Sequence, residues 1–264
     1  MNLDDYQTLR FERRGKVLTA IINRPDQLNA VNATMHREMA SLFYDLQKDP
    51  DSDVIVLTGA GRAFCAGGDT AWFQNTIDEP DEFERLLPEA KAIVFGLLEL
   101  EKPIVCRLNG AAAGLGATIA LLCDIVIASE KALIGDPHVC MGLVAGDGGC
   151  VIWPQLIGFN KAKELLMLGD MLKAAEADKY GLFNHLVPAD ALDAKTTEIA
   201  DRLAQGATKA IRYTKVTANI PLRKIAAELM DASLPYEALT NMTKDHQEAV
   251  NAFNEKRKPV FGGN

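Results

Sequence analysis

The stretch VIVLTGAGRAFCAGGD, residues 54–69, predicts a buried strand that opens into a glycine-rich turn and then a helix. Residues 54–57 are an unbroken run of β-branched and leucine side chains, which is typical of a buried strand. The four glycines that follow lack a Cβ, so the backbone can turn tightly and a ligand can approach it closely. Asp69 is positioned to cap a helix that begins at Thr70. Amides fixed at such a point stabilise negative charge that develops on an oxygen atom.

A second turn of the same build spans residues 109–116. It follows a strand-like segment, residues 103–108, and leads into a helix of small residues, 117–123. One such turn would indicate only that small residues allow close helix packing. Because two turns share the order of strand, turn and helix, the sequence favours two backbone donors that converge on one carbonyl oxygen.

The chain resembles the crotonase (enoyl-CoA hydratase/isomerase) superfamily over nearly its whole length. The pieces that carry the resemblance occur in the family's order: Arg24-Pro25, Leu28-Asn29-Ala30, residues 63–69, residues 109–116, Gly135-Asp136-Pro137, residues 142–149 and residues 255–259. The resemblance implies an α/β fold, a spiral of stacked ββα units. It also implies a helical C-terminal region that covers the pocket and packs across subunits of a homotrimer or of a hexamer built as a dimer of trimers. We therefore expect a spiral core over residues 1–195 and a helical region over residues 196–264.

The same resemblance implies an acyl-CoA thioester as substrate, with coenzyme A as part of that substrate and no further cofactor or metal. Carried across residue by residue, the amides of Gly68 and Leu115 form the oxyanion hole for the thioester carbonyl. The other residues that the resemblance assigns to substrate and CoA binding are Arg24, Leu28, Ala66, Asp69, Trp72, Gly114, Phe253 and Lys256. Phe253 and Lys256 are expected to reach the nucleotide of a neighbouring subunit, and Trp72, Phe73 and Trp153 are candidates for the acyl pocket.

The acid and base positions depart from the hydratase pattern. Thr118 and His138 stand where hydratases have two glutamates, so neither position carries a carboxylate. Thr118 cannot deprotonate water and is better interpreted as a small helix residue, whereas His138 titrates near neutrality and is a candidate acid or base. Asp147 follows within Gly146-Asp147-Gly148-Gly149; it either stabilises a helix N-terminus or forms a catalytic pair with His138.

Three functions remain open on these residues. The first is an enoyl-CoA hydratase or isomerase, a lyase-type enzyme of fatty acid metabolism that works through a thioester enolate. The second is a retro-Claisen hydrolase that cleaves a β-diketone or a β-ketoacyl-CoA, because crotonase-fold hydrolases of that kind use His and Asp at the spacing of His138 and Asp147. The third is a homologue that binds CoA esters without turnover, since both glutamates are replaced.

Composition and charge argue against several classes of protein. The 264 residues carry a net charge of −8, which argues against a nucleic-acid surface. The N-terminal residues show no signal region, and no apolar run approaches a membrane span, so we expect a cytoplasmic protein. The five cysteines lack metal-ligand spacing and are expected to be reduced, buried thiols, with Cys65 and Cys140 near the site but not nucleophilic.

The remaining segments alternate strands and helices before the chain becomes mostly helical. Residues 8–13 and 17–22 predict a hairpin, and residues 33–47 predict a core-facing helix. Residues 74–88 are polar, acidic and interrupted by two prolines, which favours a mobile loop or short helix beside the pocket. The later helical patterns cover residues 161–168, 174–180, 189–205, 208–218, 222–230 and 244–253.

Overall fold

The computed structural model describes residues 3–264 and contains two β-sheets surrounded by helices. The larger sheet has six strands in the order β1-β2-β3-β5-β7-β10, and the smaller has four in the order β4-β6-β8-β9. The strands are β1 (Leu9–Arg14), β2 (Val17–Ile22), β3 (Val54–Gly59), β4 (Ala63–Cys65), β5 (Ile104–Leu108), β6 (Ala111–Ala113), β7 (Ile125–Ser129), β8 (Leu133–Gly135), β9 (Met171–Lys173) and β10 (His185–Val187). Both sheets are mixed, because β1 runs antiparallel to β2 and β9 runs antiparallel to β8, while the other pairs are parallel.

Ten α-helices complete the described part of the chain, together with short 3₁₀ turns. They are α1 (Ala33–Lys48), α2 (Thr70–Asp78), α3 (Pro80–Glu99), α4 (Leu115–Leu122), α5 (Gly149–Ile157), α6 (Phe159–Leu168), α7 (Ala174–Lys179), α8 (Leu192–Ala204), α9 (Thr208–Asn241) and α10 (Lys244–Asn254). No helix in residues 3–264 combines the length and the hydropathy needed to cross a membrane.

The predicted ββα repeat is present. After the first unit, β1-β2-α1, each following unit places one strand in the large sheet, one in the small sheet and then a helix: β3-β4-α2, β5-β6-α4 and β7-β8-α5. The parallel register between β3, β5 and β7 and between β4, β6 and β8 means that the units advance in one direction. The α/β spiral fold is therefore confirmed.

The small sheet positions the site. Its strands β4, β6 and β8 are parallel, so their carboxyl ends meet at one edge. The glycine turn ending at Gly68 follows β4, Gly114 follows β6 directly, and Asp136 follows β8 directly. Three stretches that are far apart in sequence are thus brought to the same edge of one sheet.

Residues 74–88 are not a mobile loop but parts of two helices, α2 and α3. Some of the features that suggest a loop are helix-start signals, whereas the second proline, Pro88, lies inside α3. Asp69 caps α2 by accepting a hydrogen bond from the amide of Ala71 at 3.1 Å. Pro80 occupies the first turn of α3 with two acidic residues beside it, where proline loses no hydrogen bond and negative charge is favourable.

The C-terminal half departs from the prediction in two further places. Strands β9 and β10 are three residues each, too short to show a periodic pattern. The helices predicted over residues 208–218 and 222–230 are one continuous helix, α9, which runs through Pro221. Packing of α9 on α3 stabilises it across the proline, and Asn219 Nδ2 donates to the carbonyl of Leu98 at 3.1 Å. The expected boundary at residue 196 falls within α8.

Asn29 explains the Leu28-Asn29-Ala30 motif. It is fully buried with φ of 58°, a left-handed conformation that asparagine tolerates better than most residues. Its side chain accepts from the amide of Arg24 at 2.8 Å and donates to the carbonyls of Ala60 and Ala63 at 2.9 and 2.8 Å. One amide group therefore joins the segment before α1 to the turn between β3 and β4.

Replacing Asn29 by alanine is expected to lower the free energy of unfolding by about 3 kcal/mol. Three hydrogen bonds are lost at about 1 kcal/mol each, and buried backbone groups are left without partners. Urea unfolding followed by circular dichroism measures the change. The exposed Asn160→Ala is the control and should stay within about 0.5 kcal/mol of the parent. Equal stability of both variants would contradict the bridging role.

Candidate active site

A cavity of about 380 Å³ opens at the carboxyl edge of the small sheet. Its wall is mostly apolar and is built from the two glycine turns, helices α2 and α3, the segment after β8, and helices α9 and α10. The sequence-predicted site residues on this wall are Ala66, Gly68, Trp72, Gly114, Leu115, His138, Asp147 and Phe253. Phe73 also lines it, whereas Trp153 is fully buried in the core and is excluded as an acyl-pocket residue.

The amides of Gly68 and Leu115 are both available at this cavity. Val31 forms a parallel bridge with Gly68, in which Val31 N donates to the carbonyl of Gly67 at 2.8 Å and Asp69 N donates to the carbonyl of Val31 at 2.9 Å. The Gly68 amide lies between these two bonds and faces the other way, because successive amides of an extended chain alternate in direction. Leu115 is the first residue of α4, where an amide has no partner within the helix. Across residues 3–264 neither amide donates to a protein group.

Gly114, which caps α4, must be glycine. Its φ is 53° with ψ of −123°, a region closed to other residues, and a Cβ there would lie 3.1 Å from Cε1 of His138. The His138 ring therefore packs directly over the turn that presents the Leu115 amide.

His138 lies between two carboxylates. Its Nδ1 is hydrogen bonded to Oδ1 of Asp136, and its Nε2 is 3.4 Å from Oδ2 of Asp147. The side chains of Asp136 and Asp147 are almost fully buried, and the second carboxylate oxygen of each has no hydrogen-bond partner within the described residues. A ligand or a water molecule can therefore donate a hydrogen bond to either of these two carboxylate oxygens.

The surroundings of His138 favour its protonated form. Burial by itself lowers the pKa of His138, but the negative charges of Asp147 and Asp136 and the hydrogen bonds to them outweigh burial, so the pKa lies well above its ordinary value. The titration expected near neutrality therefore moves to higher pH, because two carboxylates face the ring. The role of His138 as an acid or a base stays a prediction.

Glu237, on α9, is the site residue that sequence reasoning missed. Its Oε1 lies 3.9 Å from Nε2 of His138, and it lines the same cavity. Burial raises the pKa of Glu237 to about 8, and the charge of Asp147 adds to this effect while His138 opposes it. Nothing local marks Glu237 in the sequence, since its direction depends on the packing of α9 against α3 and α5. Asp136, in contrast, lies in the Gly135-Asp136-Pro137 motif, which is visible in the sequence.

The glycines around Asp147 leave room for these acids. A Cβ on Gly149 would lie 2.0 Å from Oδ2 of Asp136, and a Cβ on Gly146 would lie 2.6 Å from Oε2 of Glu237. Gly148 has φ of 113°, which only glycine adopts readily. The Gly146-Asp147-Gly148-Gly149 segment is therefore the place where Asp136, Asp147 and Glu237 approach one another closely.

The Glu237→Gln variant is expected to lose less stability than the parent as pH rises. The folded-state pKa of Glu237, about 8, lies above the ordinary value of 4.5, so the folded protein holds a proton that the unfolded chain releases between these values. Stability contributed by this group is present below pH 4.5 and is lost as pH rises through 8. Glutamine does not titrate, so thermal melts at pH 5, 7 and 9 should show a smaller decline in Tm for the variant.

The raised pKa of His138 also makes stability fall as pH rises, and it does so in both the parent and the Glu237→Gln variant. Glu228→Gln, an exposed substitution on the same helix, is the matched control and should follow the parent. If Glu237→Gln declined as steeply as the parent, Glu237 would not be protonated in the folded protein.

Several predicted CoA-binding residues lie outside the cavity. The guanidinium of Arg24 is bonded to the carbonyl of Ala30 and lies 3.2 Å from Oδ2 of Asp69. Leu28 presents its carbonyl to the amide of Ala66 at 3.2 Å. Among Arg24, Leu28, Asp69 and Lys256, none lines the cavity wall in the described structure. The contacts of Arg24, Leu28 and Asp69 support the turn that contains Ala66.

Thr118 and the cysteines have no visible part in the chemistry. Thr118 is fully buried on α4, behind Gly148 rather than on the cavity wall. All five cysteines are free. Burial raises the pKa of Cys65 to about 11, which keeps it a thiol. Cys140 is exposed and lines the cavity, which corrects the prediction that it is buried; burial of its thiol and the charge of Asp170 raise its pKa.

Three residues of the site have side chains that can also ligate a metal cation. Asp136, His138 and Asp147 offer ligand atoms within 4.8 Å of one another. However, a histidine binds a metal through a neutral ring nitrogen, and here both nitrogens face carboxylates that favour the protonated ring. The cluster therefore suits proton transfer better than metal binding.

The chain is similar to known proteins in both sequence and structure. The sequence model of the family described as enoyl-CoA hydratase/isomerase matches residues 12–264. Crotonyl-CoA hydratase of Syntrophomonas wolfei is 34% identical over 97% of this chain and 98% of the relative. The crystal structure of an enoyl-CoA hydratase/isomerase from Mycobacterium paratuberculosis has a TM-score of 0.90 and 35% identity, over 94% of this chain and 99% of that one.

A further similar structure has a different activity. It is a β-diketone hydrolase from the cyanobacterium Anabaena, bound to (S)-3-oxocyclohexyl acetic acid, with a TM-score of 0.84 and 30% identity over 91% of this chain and 96% of that one. Fold and identity at this level therefore do not fix the reaction.

Proposed function

The chain belongs to the enoyl-CoA hydratase/isomerase family, and from that premise we propose that it adds water reversibly to the double bond of an enoyl-CoA thioester. One observation carries the proposal. Two unpaired amides, Gly68 and Leu115, line the same cavity as the acids Asp147 and Glu237, and the pKa of Glu237 is raised to about 8. Thioester enolate chemistry needs an oxyanion hole together with a base and an acid.

In the proposed reaction the thioester carbonyl accepts hydrogen bonds from both amides. The Asp147 carboxylate takes a proton from a water molecule, whose oxygen forms a bond to the β-carbon. The electron pair of the double bond moves to the α-carbon and the thioester oxygen, giving an enolate that the amides stabilise. Protonated Glu237 then donates its proton to the α-carbon, so that one water molecule has been added across the double bond. Asp147 then releases the proton that it took from water and Glu237 takes one up, by exchange between them or with solvent, which restores both groups.

His138 and Asp136 have a supporting role in this scheme. The imidazolium of His138 faces Asp147 at 3.4 Å and Glu237 at 3.9 Å, so its positive charge balances the two acids. Asp136 holds the ring through Nδ1. We assign His138 to orientation and charge balance, because the two facing carboxylates raise its pKa and so favour the protonated ring, which has no lone pair to accept the proton of water.

Isomerisation of the double bond needs the same parts without water. A carboxylate removes a proton from the α-carbon of a β,γ-unsaturated thioester, the amides hold the enolate, and an acid returns a proton to the γ-carbon. The Asp147 and Glu237 pair supports this route equally, so the acyl substrate decides between the two outcomes.

A retro-Claisen hydrolase is the second candidate, favoured by the His138 and Asp147 pair and by the likeness to the Anabaena β-diketone hydrolase. In that reaction, water activated by Asp147 attacks one ketone carbon of a 1,3-dicarbonyl. The carbon–carbon bond breaks, and the departing enolate is held by the two amides and protonated. The Ala66 to Asp69 signature favours the thioester.

The test is incubation of the purified protein with crotonyl-CoA, longer and aromatic enoyl-CoAs, and cyclic 1,3-diketones. We expect loss of the enoyl-thioester absorbance with at least one enoyl-CoA. Turnover of diketones alone would replace the first proposal by the second. Binding of CoA esters by calorimetry with no turnover of any substrate would instead indicate a binding homologue.

We also propose a homotrimer or a dimer of trimers. Exposed large apolar side chains on α6 and α9 support an assembly, since monomers rarely expose several together; they include Phe159, Met167, Leu168, Tyr236 and Leu239. Light scattering after size-exclusion chromatography measures the mass, and a monomer at micromolar concentration would contradict this proposal.

A further inference from the structure

A second polar pair faces the cavity, separate from the acid cluster. His36, in the first turn of α1, lines the cavity wall, and its side chain is only 5% exposed. Its Nδ1 lies 2.7 Å from Oε2 of Glu89, which belongs to α3. The acid cluster, in contrast, comes from the segment after β8, the turn before α5, and α9.

The contact with Glu89 fixes which nitrogen of His36 is available. A carboxylate accepts hydrogen bonds, so Nδ1 carries the ring proton and donates it to Glu89. Across the described residues 3–264, Nε2 has no protein partner. Nε2 is therefore the ring nitrogen that remains for a hydrogen bond with a ligand.

The surroundings of His36 are otherwise apolar. The indole of Trp72 lies with its centroid 5.4 Å from that of the imidazole, and Leu87 and Ala90 of α3 belong to the same wall. An apolar ligand group placed against Nε2 would exclude water from it without offering a hydrogen bond in exchange. A tie between α1 and α3 needs only the Nδ1 contact, so it does not account for a second ring nitrogen left without a partner.

We propose that His36, held by Glu89, binds a hydroxyl group on the acyl chain of the substrate, beyond the carbons that react. This inference rests on the proposed acyl-CoA chemistry of the same cavity. A hydroxyl can both donate and accept, so it forms a hydrogen bond with Nε2, whereas a methyl or methylene group at that place would leave the nitrogen unpaired. The substrate class is therefore a hydroxyacyl-CoA rather than a plain hydrocarbon acyl-CoA.

Calorimetry with two matched pairs of ligands tests the proposal: hexanoyl-CoA against 6-hydroxyhexanoyl-CoA, and octanoyl-CoA against 8-hydroxyoctanoyl-CoA. In the unsubstituted protein we expect one hydroxylated ligand to bind about tenfold or more tightly than its parent, since sites built for a hydroxyl reject analogues that lack it. His36→Asn keeps a donor on the Nδ1 side but removes Nε2. It should abolish the preference within each pair, so that the hydroxylated ligand and its parent bind with equal affinity.

His36→Gln restores an amide near the position of Nε2 and should recover part of the preference. If His36→Asn melts too early for calorimetry, His36→Gln and Glu89→Gln decide the matter, because a purely structural role would change the affinity of both members of a pair together. Equal affinities within both pairs in the unsubstituted protein, or a preference that survives His36→Asn, would overturn the inference while leaving the proposed function intact. Failure of every ligand to bind would instead overturn the proposed function, and this inference with it.

Discussion

Replacing Asp147 by asparagine is expected to lower kcat by about 10²–10⁴-fold, the range that one general acid or base contributes. Asparagine has nearly the same shape but cannot accept the proton of water. The carboxylate lies 3.4 Å from the His138 ring and lines the cavity with Glu237, so no other described base is as well placed. Affinity for a saturated acyl-CoA, measured by calorimetry, should change by only a few-fold.

The control is Asp170→Asn, which removes the same charge at an exposed position after α6. It should keep the parent's kcat. Turnover by Asp147→Asn at the parent's rate would remove Asp147 from the chemistry. Loss of turnover with retained binding would exclude the non-catalytic homologue, since the parent must then have catalytic activity to lose.

The substitution Leu115→Pro is expected to lower kcat by about 10²–10³-fold, or 2.7–4 kcal/mol of transition-state stabilisation, as for loss of one oxyanion donor. Proline removes the amide hydrogen and changes little else in the backbone, because Leu115 is the first residue of α4, where proline is well tolerated. Gly114, the residue before it, has φ of 53° and ψ of −123°, which is the mirror image of the extended conformation favoured before proline.

Leu115→Ala separates the amide from the side chain. Both variants lose the buried leucine side chain, but only the proline variant loses the N–H. We expect the alanine variant to stay within about tenfold of the parent in kcat, with similar melting temperatures for the two variants. Equal kcat in Leu115→Pro and Leu115→Ala would mean that this amide does not stabilise the reacting carbonyl.

Much of the fold can be predicted from the sequence, because in many segments the local sequence signals agree with the long-range structure. Residues 54–69 contain a β-branched run, a glycine turn and a capping aspartate, and they form β3, β4 and the start of α2. The hairpin of β1 and β2 and helix α1 follow for the same reason. The spiral order of the ββα units came from the family resemblance, since periodicity identifies elements but not how they stack.

The site is less visible in the sequence because its properties depend on distant contacts. His138 and Asp147 lie in glycine-rich motifs that the sequence shows, but the raised pKa of His138 depends on Asp136 and Asp147 facing both ring nitrogens at once. Glu237 lies inside a long helix whose pattern gives no sign of function. His36 has the sequence pattern of a core-facing helix residue, and only the packing of α1 on α3 brings it to Glu89.

A crystal structure with bound acetoacetyl-CoA tests the central claim most directly. The account predicts the thioester carbonyl oxygen within roughly 3 Å of both the Gly68 and Leu115 amides, as oxyanion-hole geometry requires. It also predicts that the carboxyl groups of Asp147 and Glu237 face the α- and β-carbons of the ligand. A ligand bound in the cavity with its carbonyl away from these amides, or with both carboxyl groups turned from the reacting carbons, would contradict the account.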